Sequence, residues 1–176
     1  MTSANSQSKG NNPVAGQLEV VCPNPEDLRP LVEAIAMVVE PGDILLLHGA
    51  LGAGKTTLTQ LLATALDVSE DQYVSSPSFA LMHEYTGRLP IFHMDLYRLS
   101  DEEDVEAAGL VDALTPHGLC IIEWPDRLGS LSPDHRLDIS IVQESPIGRR
   151  IILTPHGPSW VMRMGRIVEH LHQVKQ

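Results

Sequence analysis

No apolar run in this 176-residue chain approaches the roughly 18 residues that a membrane-spanning helix needs, so a membrane location is excluded as an expectation. The first residues carry no basic patch followed by an apolar stretch, so nothing there reads as an export signal. Cysteine is scarce. Cys22 and Cys120 lie far apart, each in an apolar strand-like run, which suits reduced core thiols in a cytoplasmic setting better than a covalent staple. Basic charge is also short: 12 Lys and Arg stand against 23 Asp and Glu, a formal net charge of −11. Such a surface repels phosphodiester backbones, which excludes strong independent nucleic-acid binding and favours a basic partner. The eight histidines show no ligand spacing. His170 and His172, for example, are two apart on an expected helix and so face different ways, which argues against a histidine metal centre. An Asn-Lys-x-Asp run that would read guanine is missing as well.

What is there is a chain 43% hydrophobic, enough to build one core of ordinary size. Residues 1–16 are small, polar and without periodicity, so they are expected to be a flexible tail before a single domain over 17–176. That domain is organised around one stretch. Ile44-Leu45-Leu46-Leu47-His48 reads as a buried strand, and Gly49-Ala50-Leu51-Gly52-Ala53-Gly54-Lys55-Thr56-Thr57 follows it. The spacing G-x-x-x-x-G-K-T suits a loop that wraps a triphosphate. Gly49, Gly52 and Gly54 let several backbone N–H groups turn inward at once, and Lys55 reaches the terminal phosphates. A helix opening near Lys55 adds its own unpaired N–H groups and its dipole, and the Thr56 hydroxyl is placed to ligate Mg²⁺. Leu58, Leu61, Leu62, Ala65 and Leu66 supply the apolar face of that helix.

Before the loop, Gln17–Cys22 alternates as an opening strand. Asn24-Pro25 then looks like a helix cap with proline at the first helical position, and Leu28, Leu31, Val32, Ile35 and Val39 form an apolar stripe. After it, Ser75-Ser76-Pro77-Ser78 makes a hydroxyl-rich turn that either reaches the γ-phosphate and metal or is an ordinary Ser-Pro turn. Phe79–Tyr85 and Leu89–Met94 are expected to pair as a hairpin across Thr86-Gly87-Arg88. The second strand gives out at Asp95. This acid is a candidate for handling Mg²⁺ or the attacking water, because open α/β sheets collect ligands beyond the carboxyl ends of their strands. A loop cap or a surface partner of Arg98 is the other reading of Asp95.

Ser100-Asp101-Glu102-Glu103 looks like a capping box opening a short acidic helix. Gly118–Trp124 is a second continuous apolar run ending in a carboxylate, Glu123, the position that completes the Mg²⁺ site or polarises water in phosphate-loop enzymes. Gly129–Pro133 reads as a loop, Arg136–Val142 and Arg149–Thr154 as an antiparallel pair extending the sheet, and Trp160, Val161, Met164, Ile167, Val168 and Leu171 as one face of a terminal helix. The expected fold is therefore an α/β three-layer sandwich of the phosphate-loop NTPase kind, its mixed, mainly parallel sheet carrying an antiparallel extension.

G-A-L-G-A-G-K-T-T, V-S-S-P-S-F, H-M-D-L-Y-R-L with D-E-E-D-V-E-A-A-G-L behind it, and I-I-E-W-P occur in that order with compatible spacings. Over about residues 17–155 the chain resembles the TsaE family, small bacterial ATPases needed to make threonylcarbamoyladenosine in tRNA. The resemblance implies that Lys55 and Thr56 bind phosphates and Mg²⁺, that Glu123 is the second metal-side ligand, and that Asp95 is required for activity. It also implies that Gly49, Gly52, Ala53, Gly54 and Thr57 wrap the nucleotide, that the segment holding Ser76 is switch-like, that Trp124 lies beside the site, and that Arg149 lies near the base. By the same resemblance the protein acts with TsaB and TsaD, and meets tRNA only through that complex. Three departures stand out: Ala50 replaces an acid, Ser78 replaces a threonine in S-P-T, and Leu28 replaces a threonine one turn into the first helix.

The function expected is Mg·ATP binding and hydrolysis, with Lys55 and Mg²⁺ offsetting phosphate charge and water placed by Asp95 or Glu123. A small-molecule kinase using Asp95 as base and a nucleotide-dependent switch with little turnover are the rival readings.

Overall fold

The structure is a computed structural model that describes residues 16–114 and 117–174; the expected tail falls outside the described residues up to residue 15. The described residues form a seven-stranded sheet and four α-helices. The strands are β1 (Leu18–Cys22), β2 (Ile44–His48), β3 (Met82–Thr86), β4 (Pro90–Asp95), β5 (Leu119–Glu123), β6 (Arg136–Gln143) and β7 (Arg149–His156). The helices are α1 (Leu28–Val38), α2 (Lys55–Ala65), α3 (Glu102–Ala107) and α4 (Pro158–Val174). The sheet order is β1-β7-β6-β2-β5-β4-β3. Its middle four strands, β6-β2-β5-β4, run parallel, and β3, β7 and β1 are antiparallel to their neighbours.

The continuous apolar runs of β2 and β5 follow from this position, because a central strand is covered on both faces. Leu45, Leu47, Ile121 and Ile139 face α1, α2 and α4 in one core, which also takes in Leu31, Ile35, Leu58, Leu62, Trp160 and Ile167. Ile44, Leu46, Met94, Cys120 and Ile122 face the other way, onto Val105 of α3, Leu110 and Leu128. The expected three layers are present, but the third is thin, built from α3 and from 3₁₀ turns at Leu110–Ala113 and Pro125–Leu131. Both cysteines are buried: Cys22 Sγ donates to the Asp27 carbonyl at 3.6 Å and Cys120 Sγ to that of Ala113 at 3.3 Å. No helix among the described residues is long and apolar enough to cross a membrane.

Several local expectations need correction. The strand after the serine-rich turn begins at Met82 rather than Phe79. Phe79 is exposed, and Leu81 takes a positive φ of 65° that breaks the extended run. The segment after Asn24 opens as a 3₁₀ turn, Pro25–Asp27, closed by a reciprocal Asn24/Asp27 cap, before α1 begins. The short acidic helix is capped by Asp101, which accepts from the Asp104 amide, while the Asp104 side chain accepts from the Ser100 amide; the cap is Asp101 rather than Ser100. The 3₁₀ run over Pro125–Leu131 is kinked at Gly129, whose backbone is non-helical (φ 51°, ψ −122°), and Val161 on α4 points to solvent while Arg163 takes a buried place on that helix. The β6–β7 pair is antiparallel as expected, but β6 itself joins β2 in parallel.

Candidate functional site

β2, β4 and β5 all end at the same edge of the sheet, and the register places Asp95 of β4 directly beside Glu123 of β5. The loop after β2 crosses this edge and enters α2 at Lys55. Gly54 caps that helix at φ 114° and Gly52 has φ 76°, a region that side-chain-bearing residues avoid. A Cβ built at either would meet no protein atom within 4 Å and would project into open space. These two glycines keep a cradle clear for a bulky group, which phosphates fit.

Lys55 is 5% exposed, and its Nζ donates to the carbonyls of Gly49 at 2.8 Å and Ala50 at 3.0 Å. The same ammonium lies 3.9 Å from the centroid of the Trp124 ring. Burial pushes the Lys55 pKa below its ordinary value, opposed by the negative charges of Glu123 and Asp95. Trp124 holds a left-handed backbone at φ 59°, an uncommon state for a bulky residue, and its ring packs against Tyr97 at 4.9 Å.

The two acids are buried, and each is engaged. Glu123 Oε1 accepts from the Thr56 hydroxyl at 2.8 Å and lies 2.9 Å from His93 Nε2. Asp95 accepts from the Ser76 hydroxyl through Oδ2 in a very short bond, and from the Tyr97 amide through Oδ1 at 3.0 Å. Ser76 is thus drawn into the site by Asp95, while Ser75 is tied to the Tyr85 hydroxyl through both its N–H and its C=O. Arg98 does not pair with Asp95; its guanidinium stacks on Phe79 at 4.0 Å. One cavity of about 440 Å³ gathers Gly52, Gly54, Lys55, Thr56, Thr57, Ser76, Asp95, Glu123 and Trp124, with Leu51, Ser78, Tyr97 and Arg98 at its sides.

Ala53 and Arg149 lie elsewhere. Arg149 Nε donates to the Ala53 carbonyl at 2.7 Å, pinning β7 to the loop. Both line a smaller, mostly apolar slot of about 140 Å³ with Pro25, Leu28, Ile141 and Ile147. The slot shares Gly54 and Thr57 with the larger cavity, so the two are neighbours across the loop. Gly49 lines neither and contributes its carbonyl to Lys55.

Sequence reasoning missed His93. It sits in an apolar strand where a lone histidine reads as core, and only its register, next to Ile121 and two residues before Asp95, brings it under Glu123. Arg98 and Tyr97 were likewise legible only as neighbours of Asp95.

The geometry can be set against known proteins. The family model described as "Threonylcarbamoyl adenosine biosynthesis protein TsaE" matches residues 22–151, from the end of β1 into β7, and so spans the loop and both acids. The chain belongs to the TsaE family. Its relatives include the tRNA threonylcarbamoyladenosine biosynthesis protein TsaE of Bacillus subtilis, 36% identical over 148 residues, which are 84% of this chain and 91% of that one. The protein of the same name from Treponema pallidum is 38% identical over 107 residues, 61% of this chain and 78% of the other. Among solved structures, the crystal structure of Bacillus subtilis YdiB superposes with a TM-score of 0.74 at 33% identity, covering 88% of this chain and 95% of that one. The fold is that of a phosphate-loop NTPase, and the family role is in tRNA threonylcarbamoyladenosine biosynthesis.

Proposed function

We propose that this TsaE-family chain binds Mg·ATP on the loop at 49–57 and hydrolyses it, in support of threonylcarbamoyladenosine formation on tRNA. The observation that carries the reading is the convergence of Lys55, Thr56, Asp95 and Glu123 on one open cavity at the carboxyl edge of the parallel strands. The donor set fits Mg²⁺. A hard cation of this kind is held by a hydroxyl, one or two carboxylates and phosphate oxygens, and Thr56 and Glu123 are already 2.8 Å apart. Among the described residues no group of three His, Cys, Asp or Glu side chains could hold a metal by itself, so the phosphates are needed to complete the site.

When bound, Mg²⁺ supplies charge neutralisation at the phosphates. The chain does the rest. Lys55 exchanges two loop carbonyls for phosphate oxygens, an exchange favoured because its charge is poorly solvated where it stands. The Gly52–Gly54 backbone and the start of α2 orient N–H groups toward the same anion. Glu123 holds the Thr56 hydroxyl in place, and Asp95, bridging Ser76 and Tyr97, positions water and ties its placement to the serine segment. The base occupies the apolar slot beside Arg149, where Leu28 contributes an apolar wall. The partners are TsaB and TsaD, and tRNA is met through them, which suits a surface of net charge −11. The compartment is the cytoplasm.

The deciding experiment measures phosphate release from ATP and from GTP, with and without the two partner proteins. The reading requires metal-dependent release that prefers ATP and rises when the partners are added. Transfer of the phosphoryl group to a small-molecule acceptor would instead make the chain a kinase, and binding without release would make it a switch.

A further inference from the structure

His93 is completely buried on β4, and its Nε2 lies 2.9 Å from Glu123 Oε1. The same oxygen accepts the Thr56 hydroxyl at 2.8 Å. A carboxylate oxygen accepts, so this contact is made by an Nε2–H donor on His93. Nδ1 is buried and has no hydrogen-bond partner among the described residues. Leaving a buried polar atom in this state is a cost that an apolar side chain at this position would not incur. At His93 that cost falls directly under the carboxylate of the cavity.

We propose that His93 is a positioning residue for the metal side of the site, an inference that rests on the Mg·nucleotide reading above. Its Nε2–H and the Thr56 hydroxyl together saturate Oε1, which fixes the carboxylate plane and leaves Oε2 without a protein donor among the described residues. Oε2 is then the oxygen presented to a metal ion or its water. Without His93 the Glu123 side chain is held by Thr56 alone and is free to rotate about its last bond, so that either oxygen can turn inward. Outer partners of this kind orient ligating carboxylates, and their loss typically weakens metal binding by 10–100-fold.

The test compares His93→Leu, which removes the donor, with His93→Gln, whose amide can supply an N–H close to the position of Nε2. Binding of a fluorescent ADP analogue is measured with excess chelator and then across a MgCl₂ titration, alongside thermal melting of each protein. The expected result for His93→Leu is unchanged metal-free nucleotide affinity and a Mg²⁺ requirement raised at least about tenfold. His93→Gln is expected to restore most of the wild-type Mg²⁺ response. A His93→Leu protein with the wild-type Mg²⁺ requirement overturns the proposal. So does one that loses metal-free binding equally, because that marks a purely structural role, and so does a His93→Gln protein that behaves like His93→Leu. Failure of the underlying reading is distinguishable: it is the wild-type protein showing no Mg²⁺-dependent nucleotide binding at all.

Discussion

Arg163 and Lys55 are both buried cations beside carboxylates, one set where β2 begins and the other just past where it ends. At the first, Arg163 Nη1 and Nη2 reach Asp43 Oδ2 and Oδ1 at 2.5 and 2.7 Å. Nη1 also donates to the Val38 carbonyl at 2.8 Å, and the guanidinium lies 4.1 Å from the Trp160 ring centroid. The planar fork is matched on its edges and covered on a face, which leaves no room for a ligand. At the second, Lys55 is held by two neutral carbonyls and a ring, while Glu123 and Asp95 are engaged by hydroxyl, imidazole and amide donors instead of by the cation. Similar ingredients make a clasp in one place and a receptive site in the other. A buried charge that meets its full complement stabilises the fold, and one that is only provisionally satisfied is available for binding.

Four measurements sharpen or break this contrast, taken from the largest expected effect to the smallest. Lys55→Ala should lower ATP hydrolysis by about 10³-fold or more, the scale of charge-stabilising groups in phosphoryl transfer, with no loss in urea midpoint. A protein that loses stability instead would make Lys55 a second clasp. Arg163→Met should do the reverse. Leaving the partly buried Asp43 carboxylate with only the Glu40 amide as donor costs about 1–3 kcal/mol of unfolding free energy, read by urea denaturation, with nucleotide affinity unchanged because the two sites lie at opposite ends of β2. If nucleotide affinity fell in step with stability, the two ends of β2 would not be independent.

Glu123→Ala should weaken the metal dependence of nucleotide binding, raising the Mg²⁺ needed by about tenfold or more. Retained metal-dependent hydrolysis in that variant would remove Glu123 from the metal side. The smallest effect concerns acid stability. Burial pushes the Asp138 carboxyl up, but His48, Arg136 and His156 together hold it below its ordinary value of 3.8. Its contribution is therefore fully present above that value and is lost as the pH falls through it toward the lower folded pKa, because the unfolded carboxyl takes up its proton first. Asp138→Asn should flatten the fall in urea midpoint between pH 5 and pH 3 by the equivalent of about 1 kcal/mol or less. An equally steep fall in the variant would place the acid sensitivity in another carboxylate.

The parts of the fold that were legible share one property: their signal is carried by neighbouring residues. The β2 run, the glycine spacing and the start of α2 at Lys55 were all readable because strand period, loop chemistry and helix opening are local. The β5 run, ending in Glu123, was readable for the same reason. Phe79 shows the limit. It resembles a strand residue by type, yet it lies exposed under Arg98, because the positive φ at Leu81 and the bond from Ser76 to Asp95 turn the chain before β3 begins. Arg163 was not legible because a charged residue on an amphipathic helix ordinarily faces water, and its burial is made favourable by Asp43, 120 residues away, together with the Val38 carbonyl and the Trp160 ring.

The sequence by itself determined that a glycine-rich loop of the phosphate-loop kind follows β2, that Lys55 and Thr56 open the helix behind it, and that strands β4 and β5 end in acids, since each of these depends on backbone freedom and side-chain type within a few residues. Which oxygen of Glu123 is tied down, that His93 ties it, that Ser76 rather than Arg98 meets Asp95, and that Trp124 covers Lys55 were decided only by tertiary structure. Those contacts depend on strand register and on the crossing of separate loops, and register is fixed by the whole buried sheet at once rather than by any single stretch of chain.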